Sequence, residues 1–66
     1  MRLIVNGEDY ELEQSDALPV LLNELGLDPR RVAVLINDEA VPAAARQTYK
    51  LCDGDRVELL GLAGGG

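Results

Sequence analysis

The residues with the clearest chemical potential are the last three of the sequence, Gly64, Gly65 and Gly66. Consecutive glycines bury no side chain and have the largest backbone entropy, so they add nothing to a core. They suit a chain end that enters a narrow channel, because glycine is the thinnest residue and accepts any backbone conformation the channel imposes. The chemistry open to such an end is conversion of its carboxylate, a poor electrophile, into an acyl-adenylate by a nucleotide-using partner.

A run of terminal glycines can also be a frayed end without a role. Here the glycines follow a predicted strand that ends at Leu62, with only Ala63 between them. The tail therefore continues a rigid element. We expect residues 63–66 to form a flexible C-terminal tail that projects from the folded body.

The other reactive residue types favour structural roles. There is no histidine, which removes the commonest general base and the commonest zinc ligand. Cys52 could relay sulfur to the tail, but it has no histidine partner, and we expect it to be a buried small residue. Asp53-Gly54-Asp55 lacks the further oxygen ligands of a calcium loop and is predicted to be a turn. We expect neither a metal site nor a cofactor bound by this chain.

Composition limits the range of functions. The 66 residues are 47% hydrophobic and 27% charged, which is typical of one small globular domain over residues 1–66. Twelve acidic residues against six basic ones give a net charge of −6. This charge disfavours nucleic acid and favours a basic protein partner. The single cysteine and the lack of an apolar run of membrane-spanning length indicate a cytoplasmic protein that does not bind membranes.

The first half of the chain predicts a hairpin and a helix. Strands over Arg2–Asn6 and Asp9–Glu13 are joined by Asn6-Gly7, a strong hairpin-turn signal. Ser15-Asp16 is predicted to cap an amphipathic helix that ends at Gly26. The apolar stripe of this helix is made of four leucines: Leu18, Leu21, Leu22 and Leu25.

The second half predicts strands with one short helical turn. Val32–Asn37 is nearly all apolar, which suits a buried central strand, and Ala40-Val41 can start a short return strand. Residues 43–51 are predicted to be a helical turn and a loop, anchored by Tyr49 and Leu51. The last strand, Arg56–Leu62, alternates, with Val57 and Leu59 facing the core.

The order of these elements predicts an α+β protein of the β-grasp (ubiquitin-like) type. We expect a mixed sheet of four or five strands with one main helix packed on one face. That helix provides the crossover that brings the last strand parallel to the first. The alternative, a ferredoxin-like half, requires two helices, and only one is strong here.

The whole chain resembles the ThiS-type sulfur carrier proteins of thiamine biosynthesis. Each matching segment is common by itself, but their order in a chain of this length is specific. The segments are Val5-Asn6-Gly7-Glu8, Leu21-Leu22 to Leu25, Val32-Ala33-Val34 to Asn37, Val41-Pro42, Leu51 with residues 53–58, and the terminal glycines.

The resemblance implies a protein cosubstrate rather than an enzyme. By resemblance, a ThiF-like adenylyltransferase adenylates the carboxylate of Gly66, and Gly65 is the slender neighbour this requires. A sulfur donor such as a cysteine desulfurase supplies the sulfur of a thiocarboxylate, which thiazole synthase (ThiG-like) uses to build the thiazole ring. ATP belongs to the partner, and the free carrier is expected to be a monomer. The third glycine, Gly64, departs from the usual two.

Related functions remain open alternatives. The small subunit of molybdopterin synthase also ends in two glycines, although such chains tend to be longer and usually lack the Asn-Gly-Glu turn. Carriers for cysteine or methionine synthesis share the fold. A non-catalytic β-grasp interaction module is a different class, and it would not need a free glycine end.

The outward side of the last strand is the predicted docking surface. With Val57 and Leu59 inward, Leu60 and Leu62 face outward next to the reactive end. Exposed leucines beside such an end favour contact with a partner. The predicted partner-binding residues are Leu60, Leu62, Ala63 and Gly64.

Overall fold

The structure, a computed structural model, describes residues 1–61. It contains β1 (Arg2–Val5), β2 (Glu8–Glu11), α1 (Leu18–Glu24), a 3₁₀ turn (Pro29–Arg31), β3 (Val32–Ile36), β4 (Glu39–Ala40), α2 (Ala43–Arg46) and β5 (Arg56–Gly61). The predicted elements are all present, and the strand bounds differ from the predicted ones by one or two residues. Within the described range, no helix is long and apolar enough to cross a membrane.

The five strands form one mixed sheet in the order β2-β1-β5-β3-β4. β1 and β5 are parallel, while the pairs β1–β2, β3–β5 and β3–β4 are antiparallel. The predicted parallel pairing of the first and last strands is confirmed. With α1 packed against one face, this is the predicted β-grasp arrangement, and α2 adds only a single helical turn.

The central strand is β5, not β3. The nearly all-apolar sequence of residues 32–37 predicted a strand buried at the centre, but β3 lies between β5 and the short β4. Val32, Val34 and Ile36 are buried, whereas Ala33 and Leu35 are only half-buried. The strand therefore covers the core with one face, and its other face is only partly shielded.

The first hairpin turns as its sequence predicts. Asn6 and Gly7 both have positive φ, 51° and 82°, and Val5 pairs with Glu8 across the turn. Two successive positive φ angles give the turn a twist that matches the twist of the two strands. Asparagine and glycine adopt these angles at the lowest cost, which explains why this dipeptide fixes the register of β1 and β2.

Helix α1 ends as predicted but begins differently. At the C-terminal end, Gly26 has φ 71°, and the Leu27 N–H donates to the Leu22 carbonyl at 2.9 Å, as in a Schellman motif. The predicted cap at Ser15-Asp16 is wrong, because Ala17 occupies the cap position without a side-chain bond. The Leu18 N–H is instead satisfied from outside the helix by the Tyr49 carbonyl at 3.1 Å.

The core lies between α1 and the inner face of the sheet. The buried leucines of α1, which are Leu18, Leu21 and Leu22, confirm the predicted stripe, while Leu25 is only partly buried. The other buried members are Leu3, Leu12, Val32, Val34, Ile36, Val41, Leu51, Val57 and Leu59. This core is entirely aliphatic, and Tyr10 and Tyr49 pack at its edge.

Candidate functional site

The predicted reactive end lies directly beyond the described part of the chain. Leu62, Ala63, Gly64, Gly65 and Gly66 are outside residues 1–61. The structure therefore describes the base of the predicted tail, which is β5 up to Gly61. In this central strand, Arg56 and Val57 pair with β1, and the residues from Val57 to Gly61 pair with β3, so β3 holds the base of the tail.

The two faces of β5 differ as predicted. Val57 is fully buried and Leu59 is 8% exposed, whereas Leu60 is 54% exposed. Among residues 1–61, Leu60 is the only large hydrophobic side chain that is exposed. The predicted orientation of this strand is confirmed, and the role of Leu60 in docking stays a prediction.

Leu60 has apolar neighbours on the uncovered face of the sheet. On β3, Ala33 lies directly opposite Leu60 and Leu35 lies opposite Glu58. Opposite residues of an antiparallel pair point to the same face, so Ala33, Leu35 and Leu60 form one surface, here called the open-face patch. Ala33 and Leu35 were not among the predicted docking residues, although the alternation along β3 indicates them once its second face is known to be uncovered.

Two asparagines bind the ends of β5. Near its C-terminal end, the Leu59 N–H donates to Asn6 Oδ1 at 2.8 Å, and Asn6 Nδ2 donates to the Leu59 carbonyl at 3.3 Å. Near its N-terminal end, the Arg56 N–H donates to Asn37 Oδ1 at 3.0 Å. Both asparagines have φ 51° and belong to hairpin turns. These contacts limit the movement of β5, the strand that carries the tail. They were not predicted from the sequence.

The turn before β5 is ordered by carboxylates. Asp53 Oδ1 accepts the Arg2 N–H at 2.7 Å, and Asp55 Oδ2 accepts the Cys52 N–H at 2.8 Å. Gly54 has φ 87°, which confirms the predicted tight turn. Cys52 itself is exposed, so the prediction that it is buried is wrong. The local reason is that this turn lies at the end of the sheet, outside the core beneath α1.

The displaced pKa values belong to groups outside β5. The Tyr10 hydroxyl donates to Glu24 Oε1 at 2.6 Å, and this bond raises the pKa of Tyr10. Burial raises the pKa of Tyr49, with a smaller contribution from the nearby Asp55 carboxylate. Hydrogen bonds from Arg30 lower the pKa of Asp28. In the part of the chain that the structure describes, no group of three or more His, Cys, Asp or Glu side chains is placed to hold a metal ion.

The fold and the exposed base of a glycine tail define a ubiquitin-like β-grasp protein. Comparison with known proteins then gives the family. A model of the ThiS family matches residues 3–66, which is nearly the whole chain, so the chain belongs to the ThiS family. This match includes the terminal glycines, which lie outside the described residues.

One relative and one solved structure of similar length carry the same family name. The sulfur carrier protein ThiS of Thermus thermophilus is 40% identical over 62 residues, covering 94% of this chain and 95% of that protein. The crystal structure of a thiamine biosynthesis protein (ThiS) from Geobacter metallireducens superposes with a TM-score of 0.82 at 32% identity, with complete coverage of both chains. The chain is thus a ThiS-like sulfur carrier with the fold of that neighbour.

A longer relative contains a region similar to the whole chain. A thiazole synthase of Paramagnetospirillum magneticum is 41% identical over 66 residues. The aligned segment covers 100% of this chain and 20% of that protein, so the chain spans about a fifth of the relative's length. A second thiazole synthase, from Magnetococcus marinus, matches at 33% identity with the same coverage.

Proposed function

We propose that this chain carries sulfur for thiazole formation in thiamine biosynthesis, as a thiocarboxylate on Gly66. The observation that carries the proposal is the family match over residues 3–66, which extends through the glycine end. The Thermus relative of nearly equal length, which is named a sulfur carrier, supports it. The chain is a cosubstrate in this proposal and binds no cofactor of its own, while its activating partner uses ATP.

The proposed chemistry has three steps. A carboxylate oxygen of Gly66 attacks the α-phosphorus of ATP, and pyrophosphate leaves. The terminal sulfur of a persulfide donor, such as a cysteine desulfurase, attacks the acyl carbon, and AMP leaves. A thiol then reduces the resulting acyl disulfide, which leaves a thiocarboxylate on Gly66. Gly65 carries no Cβ that could hinder the attack of the neighbouring carboxylate on ATP or the later attack of sulfur on the acyl carbon.

The proposed partners are an adenylyltransferase of the ThiF type and a thiazole synthase. Support for the second comes from the relatives named thiazole synthase, in which a region similar to this chain is about a fifth of the protein. A carrier-like region within the same polypeptide suggests that carrier and synthase work together. In this proposal the reaction takes place in the cytoplasm.

The proposed docking surface continues into the tail. It consists of the open-face patch together with Leu62, Ala63 and Gly64. Leu60, 54% exposed, lies two residues before the first of these tail residues. A partner that contacts Leu60 therefore holds the chain immediately before the segment that must reach its active site.

Mass spectrometry tests the proposed function directly. The protein is incubated with a ThiF-type adenylyltransferase, ATP, cysteine, a cysteine desulfurase and a thiol. We expect a mass gain of about 16 Da, because one oxygen is replaced by sulfur. The gain should require ATP. An unchanged mass with an adenylyltransferase that converts its own carrier would contradict the proposal.

Two tail variants locate the reaction. Deletion of Gly66 should abolish the mass gain, and Gly65→Val should block it because a branched side chain is excluded from a channel shaped for glycine. Gly61→Ala is the matched control, since a Cβ at Gly61 meets nothing within 4 Å. All three should melt near the temperature of the parent protein, because no core residue changes. Normal modification of either tail variant would contradict the role given to Gly65 and Gly66.

A further inference from the structure

The parallel ladder between β1 and β5 stops before β5 ends. Ile4 aligns with Arg56 and Val5 with Val57, after which β1 enters its turn. The last backbone bond on this side is from the Asn6 N–H to the Val57 carbonyl, at 2.8 Å. β5 continues for four residues beyond Val57, so its next backbone groups facing β1 no longer have a strand beside them.

The Asn6 side chain takes the place of the missing strand. Its carboxamide accepts the Leu59 N–H at 2.8 Å and donates to the Leu59 carbonyl at 3.3 Å. A carboxamide presents one acceptor and a donor, as a peptide group does, so it extends the ladder by one step. Aspartate would keep only the acceptor, and glycine would supply neither.

Position 6 must also adopt a left-handed conformation. Asn6 has φ 51°, at the first residue of the hairpin turn. Asparagine is one of the few side chains that tolerate this region, and glycine tolerates it without a side chain. Asn6 therefore satisfies two separate requirements, the positive φ of the turn and the side-chain hydrogen bonds to β5.

We propose that Asn6 is a positioning residue for sulfur loading: it holds the β1 side of the end of β5, whose other side pairs with β3 through Gly61, and thereby sets the direction in which the tail leaves the sheet. The proposal rests on the proposed carrier function. Leu59 precedes both the exposed Leu60 and the tail, so rotation of the backbone at Leu59 would move the docking residue and the reacting end together. Because Leu59 is already fixed in the free protein, binding to the partner does not carry the entropic cost of ordering this part of β5.

Kinetics of adenylation by the ThiF-type enzyme tests this role. Asn6→Gly removes the carboxamide but keeps the turn. If only about a fifth of the variant has an ordered strand end, its KM should rise about fivefold, with kcat within about twofold. Asn6→Asp keeps the acceptor of the shorter bond and should lie between the parent protein and Asn6→Gly.

Asn37→Gly is the matched control. Asn37 has the same φ of 51° and also bonds β5 through its side chain, but at Arg56, the end distant from the tail. We expect a comparable loss of thermal stability with KM unchanged. If Asn37→Gly raises KM as much as Asn6→Gly, the effect comes from general loosening of β5 and the proposal is overturned.

Amide hydrogen exchange tests the structural part without any partner. In Asn6→Gly, the Leu59 amide should exchange about tenfold faster than in Asn37→Gly, because its acceptor is lost. Unchanged exchange at Leu59 overturns the positioning role even if sulfur loading proceeds normally. Faster exchange at Leu59 in a protein that never gains sulfur would instead contradict the carrier function on which the proposal rests.

Discussion

At the scale of single residues, two asparagine side chains form hydrogen bonds to strand backbone of the kind that a neighbouring strand forms elsewhere in the sheet. Asn6 and Asn37 both have φ 51° and both bind backbone groups of β5, at its opposite ends. Asn37 also donates from Nδ2 to Asp55 Oδ1 at 2.9 Å, which connects its turn to the one before β5. The hairpin turns therefore do more than reverse the chain, because each one also secures the strand that leads to the glycine end.

Leu60 gives the sharpest test of the docking surface. We expect Leu60→Glu to weaken binding to the adenylyltransferase by at least about 1 kcal/mol, since it replaces the exposed apolar side chain of the open-face patch with a charge. Thermal stability should change little, because the side chain is 54% exposed in the free protein. Titration calorimetry and a melting curve measure the two effects.

The control for this variant is Ala44→Glu. Ala44 is exposed on α2, so the substitution adds the same charge away from β5. Its binding should match that of the parent protein. Equal binding by all three proteins would remove Leu60 from the docking surface.

At the scale of elements, local sequence signals were sufficient wherever the stabilising contacts are local. The Asn6-Gly7 turn is fixed by two residues that tolerate positive φ. The end of α1 is fixed by Gly26 and by the bond from Leu27 back to Leu22. Alternation alone placed Val57 and Leu59 inward and Leu60 outward, because strand side chains change face at every residue.

Apart from the burial of Cys52, the wrong predictions concern contacts between distant segments. The start of α1 is set by the Tyr49 carbonyl, about thirty residues along the chain, so a local cap at Ser15-Asp16 is not needed. The position of β3 depends on which strand takes the centre of the sheet, and an apolar run does not specify that. The two bonds from Asn6 to Leu59 also join segments that only the fold brings together.

The 3₁₀ turn after α1 carries the clearest pH dependence. Asp28 Oδ1 accepts the Arg30 N–H at 2.9 Å, and Arg30 Nε lies 3.3 Å from the same oxygen. These bonds hold the pKa of Asp28 below its ordinary value of 3.8. A carboxyl group whose pKa is lowered on folding stabilises the folded state above its unfolded pKa, and this contribution is lost as pH falls through the folded pKa.

We therefore expect Asp28→Asn to be less stable than the parent protein near neutral pH and to approach it in acid. The difference in melting temperature should shrink as pH falls from about 5 to about 2, the interval over which carboxylates with lowered pKa values become protonated. Asp9→Asn, an exposed carboxylate on β2, is the control for loss of one negative charge. A difference that is constant over this interval would show that the charge of Asp28 does not contribute.

At the scale of the whole molecule, net charge should control the rate of association with a partner. The net charge of −6 on 66 residues gives a field that attracts a basic surface, and dissolved salt screens it. Each ion pair in the described range has at least one exposed partner, and such pairs contribute little to folding. The excess acidic charge is thus available for steering rather than for stability.

The expected result is an association rate with the adenylyltransferase that falls about tenfold between low and high salt, with a smaller change in dissociation. Stopped-flow measurement at several ionic strengths provides the rates. Leu60→Glu should alter the dissociation rate more than the association rate, because it changes contact rather than long-range attraction. An association rate independent of salt would exclude electrostatic steering.

The central position of β5 also has a mechanical consequence. A force that draws the segment after Gly61 into a partner acts along a strand that pairs with β3 from Val57 to Gly61 and with β1 at Arg56 and Val57. The hydrogen bonds to both neighbours are then loaded in shear and must break together, whereas a strand at the margin, such as β2 or β4, can be peeled away bond by bond. The folded domain can therefore withstand a pulling force at its C-terminal end without unfolding.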